Sequence, residues 1–413
     1  MIDLRAARHD PEGYRRALAR KGGADVFDEL LAADEAKRSL QTTVEELRAR
    51  TKLKGKPTPE QLAELTAIKE QLQPLEQELT AAESRVQELL DRVPNPPADD
   101  TPDGDQEEDA ATVRTWGEPP SFDFTPKDHL DLAAPHGWID MERGAKVAGS
   151  RFLYRVGDVA LLETALYRWA LTRIVAKEHV AVLPPVLVRE QAMYGTGFFP
   201  SEKADYYAVP EDDLYLVGTS EVPLAAFHGG EELDELPRRY VAFSTCFRRE
   251  AGAAGRDTRG MFRVHQFDKV EMFVFCEPGA SRDEHERLLD IEEELVQELE
   301  LPYRVQNIAA GDLGASAAKK YDIEAWFPGQ SRYREITSTS NTTDFQSRRL
   351  DIRYRREGKL EHVHTLNGTA VTARAMIAIL ENFQDEDGSI SVPEPLCEFG
   401  APRRLAEERV AAP

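Results

Sequence analysis

The sequence predicts an α+β protein in which an antiparallel pair of long helices precedes a domain built on an antiparallel sheet flanked by helices. Two series of apolar residues spaced by three and four positions predict the helices. Beyond them, strand-like segments outnumber possible strand–helix–strand crossovers. The 413 residues contain no Gly-x-Gly-x-x-Gly or Walker loop, which disfavours a parallel nucleotide-binding sheet.

The helical pair is expected to form a hairpin arm over about residues 27–93 of an N-terminal domain, residues 1–98. The first apolar series contains Leu30, Leu40, Val44 and Leu47, and the second contains Leu65, Ile68, Leu72, Leu75, Leu79, Val86, Leu89 and Val93. The segment from Lys54 to Pro59 separates the two series. Because it holds a glycine and two prolines, it predicts a turn that no helix crosses.

Residues 99–115 follow the proline-rich stretch Pro94–Pro97, are rich in aspartate and glutamate, and are expected to form an acidic linker or loop. A globular domain is expected over residues 116–413. Its predicted strands are Val180–Leu183, Leu214–Val217, Tyr240–Phe243, Lys269–Phe275 and Tyr333–Thr337, and its predicted helices are Leu161–Ala176, Arg282–Leu299 and Val371–Phe383.

The formal net charge of −23 argues against a protein that coats nucleic acid nonspecifically. Positive charge nevertheless collects at the tip of the hairpin, in Arg48, Arg50, Lys52, Lys54 and Lys56. One interpretation is a solvated turn on a dimerising coiled coil. The contrast between a basic tip and an acidic or neutral stalk favours contact with a polyanion.

The three cysteines are scattered and form no Cys-x-x-Cys pair, so neither a disulfide framework nor a zinc site is expected. The first residues lack the apolar segment of a secretory signal. No apolar run is long enough to cross a bilayer. These features predict a cytoplasmic protein without a membrane partner.

The densest chemical pattern starts at Phe247-Arg248-Arg249-Glu250. A small, glycine-containing loop follows, and then the run from His265 to Glu271. Two strands joined by such a loop, with arginines at the base, form a reasonable clamp for a polyphosphate, because guanidinium groups bind phosphate oxygens in pairs. The competing interpretation is a surface hairpin with solvated charges.

This pattern resembles motif 2 of the class II aminoacyl-tRNA synthetases in its seryl form. Other segments resemble the same family in the same order, so the similarity covers nearly the whole chain. They are Val182–Pro185 for motif 1, Thr219–Leu224 for the serine loop, Glu335–Asn341 for the metal and ATP strand, Leu366–Arg374 for motif 3, and the N-terminal arm for tRNA binding.

The resemblance implies an ATP site in which Arg248 holds the α-phosphate, Glu250 and Val264 contact adenine, Phe267 stacks on it, and Arg374 takes the terminal phosphate. Glu335 and Ser338 would hold Mg²⁺, an oxygen-only pair that suits a hard ion. The remaining implied ATP contacts are Arg249, Arg263, Ile336 and Thr337.

The resemblance also implies that L-serine is bound by Thr219, Ser220, Glu221, Glu271, Asn367 and Thr369. Glu271 could hold the ammonium or the hydroxyl of serine, and Thr369 could bond the hydroxyl. On spacing alone, Glu271 and Thr369 would be an ordinary strand carboxylate and an ordinary capping hydroxyl. The catalytic groups implied are Arg248, Arg374 and Glu271.

The implied activity is a two-step serine–tRNA ligation. Serine and ATP give seryl-adenylate, and serine then passes to the 3′ end of tRNA(Ser), and of tRNA(Sec), with the arm of one subunit of a homodimer serving the other subunit. Two alternatives stay open: a paralogue that supplies seryl-tRNA to a biosynthetic pathway, and a non-catalytic RNA-binding relative.

Overall fold

The computed structural model describes residues 1–52, 58–251 and 260–405. The predicted tip residues Lys54 and Lys56 lie outside these ranges. The described chain divides into two compact units, Met1–Pro97 and Ala98–Pro413.

The first unit consists of four helices: α1 Leu4–His9, α2 Pro11–Ala19, α3 Ala24–Arg50 and α4 Pro59–Arg92. The start of α4 is fixed locally. The Thr58 hydroxyl accepts a hydrogen bond from the backbone N–H of Gln61, and the Gln61 side chain accepts one from the N–H of Thr58. This reciprocal cap, followed by Pro59 in the first helical position, begins the helix where the predicted turn ends.

Helices α3 and α4 pack against each other as an antiparallel arm, as the two apolar series predict. The shared core of the arm contains Val44, Ile68, Leu72 and Leu79. Ion pairs across the arm join Glu29 to Arg85, Arg48 to Glu76 and Arg50 to Glu64. From pair to pair, the residue numbers rise along α3 and fall along α4, so the two helices run antiparallel.

The second unit is organised by one eight-stranded sheet. Its strands are β1 Ala111–Trp116, β2 Val180–Val182, β3 Arg238–Phe247, β4 Gln266–Cys276, β5 Tyr303–Asn307, β6 Lys319–Phe327, β7 Arg332–Thr343 and β8 His364–Thr372. Their order across the sheet is β1-β5-β6-β7-β8-β4-β3-β2. Every neighbouring pair is antiparallel except β2 and β3, which run parallel.

The acidic linker expected over residues 99–115 is shorter than predicted. Its last residues form β1, an edge strand that pairs Ala111 with Asn307 and Trp116 with Tyr303. The acidic run ends at Asp109, and the β-branched and aromatic residues that follow are those that a pleated surface accommodates.

Three long helices cover one face of the sheet: α5 Asp158–Val175, α6 Ser281–Glu298 and α7 Ala373–Asn382. They share a continuous core with Val270, Met272 and Val274 of β4. Because side chains alternate along a strand, Glu271 and Phe273 point to the opposite face. That face carries a second core with Phe273 and Phe275.

Shorter elements complete the unit. The short helices are His129–Ala133, Met141–Ala148, Glu190–Thr196, Glu221–Ala226, Phe345–Leu350 and Glu394–Cys397. The short strands are Ile139–Asp140, Tyr154–Arg155, Leu187–Arg189, Ala208–Val209, Leu214–Leu216, Glu232–Leu233, Arg353–Arg356, Lys359–His362, Ile390–Ser391 and Arg404–Leu405. Among the residues that the structure describes, no helix has the length and apolarity needed to cross a membrane.

Candidate active site

A cavity of about 360 Å³ opens on the sheet face that the long helices leave free. The predicted site residues that line it are Thr219, Glu221, Arg248, Glu250, Arg263, Val264, Phe267, Glu335, Ile336, Ser338, Asn367, Thr369 and Arg374. They come from β4, β7 and β8, from the start of the short helix Glu221–Ala226 and the residues before it, from the segments that follow β3 and precede β4, and from the first turn of α7. Antiparallel pairing therefore gathers residues that are up to 155 positions apart, counted from Thr219 to Arg374.

Arg248 follows the last residue of β3 and is held by the neighbouring loop. Its Nε donates to the carbonyl of Gly218 over 3.1 Å. The guanidinium carbon lies 5.3 Å from the centroid of the Phe267 ring, a cation–π arrangement. The cation thus stands between the predicted adenine-stacking ring and the predicted serine loop.

Glu250 adopts a backbone φ of +52°, in the left-handed region that costs a non-glycine residue roughly 1–2 kcal/mol. Glu250 follows the end of β3 by three residues, and its carboxylate lies at the cavity wall, 3.3 Å from the Arg263 guanidinium. Strained residues of this kind occur where a side chain must be aimed.

Arg374 lies in the first turn of α7, after the capping residue Thr372. Its guanidinium is 3.0 Å from the Glu335 carboxylate on β7 and also donates to the Glu335 carbonyl over 3.1 Å. Burial alone would raise the pKa of Glu335, but the Arg374 and Lys320 cations outweigh burial and lower this pKa to about 2. Glu335 is therefore a carboxylate at neutral pH.

A cluster of hydrogen bonds surrounds Glu271 beneath the cavity. The carboxylate is fully buried. Its Oε2 accepts from the Thr369 hydroxyl over 3.0 Å, and its Oε1 accepts from the Asn367 amide over 3.2 Å. Pairing of β4 with β8 places Glu271 opposite Thr369, so the register of two strands builds the cluster.

Glu221 belongs to the predicted serine loop, Thr219–Leu224, and is the first residue of the short helix Glu221–Ala226. One of its oxygens accepts from the Gln346 amide over 2.6 Å, and the carboxyl group lines the cavity. Burial raises the pKa of Glu221 to about 7, and the nearby Glu271 carboxylate adds to the rise. Glu221 thus places a carboxyl group of raised pKa in the cavity.

Besides Glu271, which is buried beneath the cavity, three predicted ATP- or serine-site residues do not line it. Ser220 is fully buried, and its hydroxyl has no hydrogen-bond partner among the residues that the structure describes. Thr337 is buried and donates to the Thr369 carbonyl. Arg249 is exposed and lies 5.6 Å from the Tyr207 ring.

Sequence reasoning missed several residues that line the cavity, including Phe198, Met261, Phe262, Lys269 and Lys320. Lys269 was assigned to a strand but not to the site. Its position two residues before Glu271, and therefore on the same face of the strand, was a signal that could have found it. Phe198 and Lys320 come from distant segments, and no local pattern marks them.

The donors available to a metal ion in the cavity are the Glu335 carboxylate and the Ser338 hydroxyl, which both line it. Within residues 1–52, 58–251 and 260–405, no three His, Cys, Asp or Glu side chains are grouped to hold a metal ion. One carboxylate and one hydroxyl fit a hard ion that takes its other ligands from phosphates and water.

Two family models match the chain. The model described as seryl-tRNA synthetase N-terminal domain matches residues 1–97, and the model described as tRNA synthetase class II core domain (G, H, P, S and T) matches residues 207–383. The second range contains the described residues that line the cavity, except Phe198.

Individual relatives agree over the full length. The chain is 51% identical to the serine–tRNA ligase of Thermobifida fusca, with 97% of each chain covered. It is 50% identical to that of Streptomyces coelicolor, with 98% of this chain and 99% of the relative covered.

Among solved structures, a seryl-tRNA synthetase from Pyrococcus horikoshii complexed with ATP superposes with a TM-score of 0.93. The two chains are 40% identical, and 98% of this chain and 99% of that chain are covered. The resemblance and the α+β fold predicted from the sequence are thus confirmed, and the chain belongs to the seryl-tRNA synthetases, the serine–tRNA ligases of aminoacyl-tRNA synthetase class II.

Proposed function

We propose that the cavity between β4, β7, β8 and the start of α7 forms seryl-adenylate from L-serine and ATP. One observation carries this assignment: the Arg248 and Arg374 guanidinium groups line the same cavity as the Thr219 and Thr369 hydroxyls and the Glu221 carboxyl. The serine carboxylate and an ATP phosphate can therefore approach each other beside two fixed guanidinium groups. The neighbouring hydroxyl and carboxyl groups suit an amino acid that carries a hydroxyl.

In the first step, the serine carboxylate attacks the α-phosphorus of ATP, and pyrophosphate leaves. The attacking carboxylate is ionised at neutral pH, so no general base is required. Arg248 neutralises the carboxylate and the α-phosphate as they approach, and Arg374 holds the terminal phosphate. Positioning and charge stabilisation supply the catalysis. In the second step, the tRNA 3′-hydroxyl attacks the acyl carbon, and AMP leaves.

We assign the serine ammonium to Glu221 and the serine hydroxyl to the Glu271 cluster. One Glu221 oxygen is occupied by Gln346, and the carboxyl group faces the cavity, where it can pair with a cation. Glu271, Asn367 and Thr369 already form one hydrogen-bonded set. Alanine has no hydroxyl and would leave these buried polar groups unpaired. The cost of unpaired polar groups makes the site strongly prefer serine over alanine.

The adenosine end is assigned to the motif 2 side of the cavity. Phe267 supplies a stacking surface, Glu250 an acceptor for the adenine amino group, and Val264 backbone contacts. Arg249, Arg263, Ile336 and Thr337 remain proposed ATP contacts, and Ser220 remains a proposed serine contact. The 40% identity to a relative complexed with ATP supports this assignment.

Glu335 and Ser338 would hold Mg²⁺ by oxygen atoms. When bound, the ion neutralises phosphate charge. Glu335 contributes a carboxylate that stays ionised across the physiological range, because its pKa lies at about 2. We propose that no zinc is required.

We propose that residues 1–98 form a tRNA-binding domain whose arm tip, at Arg48, Arg50, Lys52, Lys54 and Lys56, contacts the phosphate backbone of tRNA(Ser), and of tRNA(Sec). The catalytic domain, expected over residues 116–413, would then be the second unit, Ala98–Pro413, because strand β1 belongs to its sheet. The Arg48 and Arg50 side chains are exposed, and their pairs with glutamates are of a kind that contributes little stability. A polyanion could therefore displace those partners.

We propose a homodimer formed through the β2 edge of the sheet. Leu183 is 81% exposed, and Val147 and Val180 are also largely exposed. Leu183 and Val147 line a cavity of about 660 Å³ with Phe152, Leu171 and Phe243. An apolar surface of this kind favours burial by a partner, and a second copy of the chain is the partner proposed.

We place the protein in the cytoplasm, where its tRNA substrate is charged for translation. The three cysteines are free thiols, a state that a reducing compartment maintains.

The assignment is tested by charging purified tRNA(Ser) with labelled L-serine, ATP and Mg²⁺. Acid-stable label on tRNA that requires all three supports both the cavity and the arm. Serine-dependent ATP–pyrophosphate exchange without charging would retain the cavity assignment and exclude the arm assignment. The absence of both activities in a folded protein would exclude the cavity assignment.

A further inference from the structure

Lys269 lies at the centre of the proposed serine site, although neither the sequence patterns nor the proposed reaction requires it. The side chain is 5% exposed and lines the cavity. Its Nζ lies 2.6 Å from Glu271 Oε2, 2.7 Å from the Thr219 hydroxyl and 3.4 Å from the Thr369 hydroxyl. An ammonium group has three protons and no lone pair, so these three acceptors use its whole capacity.

The direction of each neighbouring hydrogen bond follows from the ammonium. Because Lys269 can only donate, the Thr369 hydroxyl accepts from it and donates its own proton to Glu271 Oε2. The Thr219 hydroxyl accepts from Lys269 and from the backbone N–H of Glu221, which lies 3.2 Å away. Both lone pairs of Thr219 are then occupied, and its proton is left to donate into the cavity that Thr219 lines.

The same contact leaves one defined acceptor on Glu271. Oε2 accepts from Lys269 and Thr369, which fills its two lone pairs. Oε1 accepts from Asn367 and retains one lone pair. A buried carboxylate without a cation is strongly unfavourable, and Lys269 supplies the cation that pairs with the buried Glu271 side chain.

We propose that Lys269 is a positioning residue for amino-acid selection: it orients the Thr219 hydroxyl as a donor and leaves Glu271 Oε1 as an acceptor. The carboxylate of an amino acid can accept from the Thr219 hydroxyl, and a side-chain hydroxyl on the same molecule can donate to Glu271 Oε1. This inference rests on the proposed serine site. The ATP half of the cavity does not depend on it, because Arg248, Glu335 and Arg374 make no hydrogen bond to Lys269 among the described contacts.

The test is serine-dependent ATP–pyrophosphate exchange by Lys269→Met, which keeps the length of the side chain and removes its charge and donors. We expect the KM for serine to rise by about 10-fold or more, since hydrogen bonds to charged groups are worth roughly 1–2 decades. The KM for ATP should stay within about 2-fold. The preference for serine over alanine, measured as a ratio of kcat/KM, should fall, because only serine uses the hydroxyl partners.

Lys319→Met is the matched control. Lys319 is also a buried lysine of the same sheet, but it pairs with Asp100 over 2.7 Å and does not line the cavity. Its serine KM should match that of the parent. If Lys269→Met does not fold, Lys269→Gln, which keeps amide donors without charge, is the second variant. It should also raise the KM for serine and leave the KM for ATP nearly unchanged.

Two results would overturn the role of Lys269: a folded variant with an unchanged serine KM and an unchanged preference over alanine, or equal rises in the serine and ATP KM values. The parent protein separates this failure from a wrong site. If the parent exchanges with serine, only the role of Lys269 is lost. If the parent shows no serine-dependent exchange, the serine site is lost with it.

Discussion

The Arg374 guanidinium lies 3.0 Å from the Glu335 carboxylate, across the cavity wall between α7 and β7. Each group is assigned to the triphosphate, Arg374 directly and Glu335 through Mg²⁺. The ion pair holds both side chains at the cavity, and it helps to keep Glu335 ionised. In the proposed assignment, ATP would meet Arg374 and Glu335 already positioned at the cavity, where Arg374 would bind phosphate and Glu335 would hold the metal ion.

Arg374→Ala is predicted to reduce kcat/KM for ATP in pyrophosphate exchange by about 100-fold or more, because it removes a fixed cation from the phosphate site. The KM for serine at saturating ATP should change much less. Arg355→Ala is the control, since Arg355 is exposed and pairs with Glu232 on a small peripheral sheet. A loss of the same size in the control would point to a general effect of removing arginine.

Reversal of charge at Arg48, Arg50 and Lys52 to glutamate is predicted to weaken tRNA charging and to spare serine-dependent exchange. Only the tRNA uses the arm tip, and removing phosphate contacts lowers affinity in a salt-dependent way. The measurement is the KM for tRNA(Ser) at two salt concentrations, together with the exchange rate.

Arg85→Glu is the matched control for the arm. Arg85 is an exposed arginine of the stalk that pairs with Glu29, and its reversal should leave the KM for tRNA near the parent value. Parallel loss of exchange and charging in the tip variant would contradict a tRNA-specific role for the tip.

The raised pKa of Glu221, about 7, predicts a pH-dependent step in serine use. Only the carboxylate form pairs with the serine ammonium. The carboxyl group gains its proton as the pH falls through about 7, so kcat/KM for serine should decline from pH 8 to pH 6. Lys269, Glu271 and Glu202 also influence this group, and Gln346 donates to it.

Glu221→Gln supplies the test of that assignment. It should lower kcat/KM for serine by about 10-fold or more at pH 8 and should remove the step near pH 7, because the amide does not titrate. Persistence of the step in Glu221→Gln would assign it to another group.

Leu183→Glu is predicted to shift the protein from dimer to monomer, because a charge would enter the apolar surface beside β2. Sedimentation equilibrium measures the shift. Val113→Glu is the control: Val113 is also an exposed apolar residue, but it lies on β1 at the opposite edge of the sheet. A Leu183→Glu protein that stays dimeric at the same concentration would rule out this edge as the interface.

The local patterns of the sequence were sufficient for the arm and for much of the sheet. The apolar spacing predicted Val44 and Leu72 in the arm core, where they lie, because a heptad series marks the face of a helix that packs against its partner. Composition misled at residues 111–115, because the acidic run before them resembled a linker. The strand there pairs with Tyr303–Asn307, which is nearly 200 positions away, and its β-branched and aromatic residues were a weaker local signal than the acidic run before them.

The site residues also divide into those that a local sequence motif marks and those whose contacts come from distant segments. Motifs carry Arg248, Glu271 and Arg374, which stay predicted site residues: Arg248 and Arg374 line the cavity, and Glu271 is buried beneath it. Lys269 was missed because its function depends on Thr219 and Thr369, and only the register of β4 against β8 and the approach of the serine loop bring the three together. Hydrogen-bond direction is a property of the assembled cluster, so no single segment reveals it.

Exchange of labelled pyrophosphate into ATP by Arg248→Ala, with L-serine and Mg²⁺, tests the central claim most directly. Arg248 is the one cation assigned to both reacting anions. We predict that exchange falls by at least about 1,000-fold, while the thermal unfolding midpoint stays near that of the parent. Arg403→Ala, at an exposed arginine paired with Glu394, should exchange like the parent. Near-normal exchange by Arg248→Ala would contradict the placement of adenylate formation in this cavity.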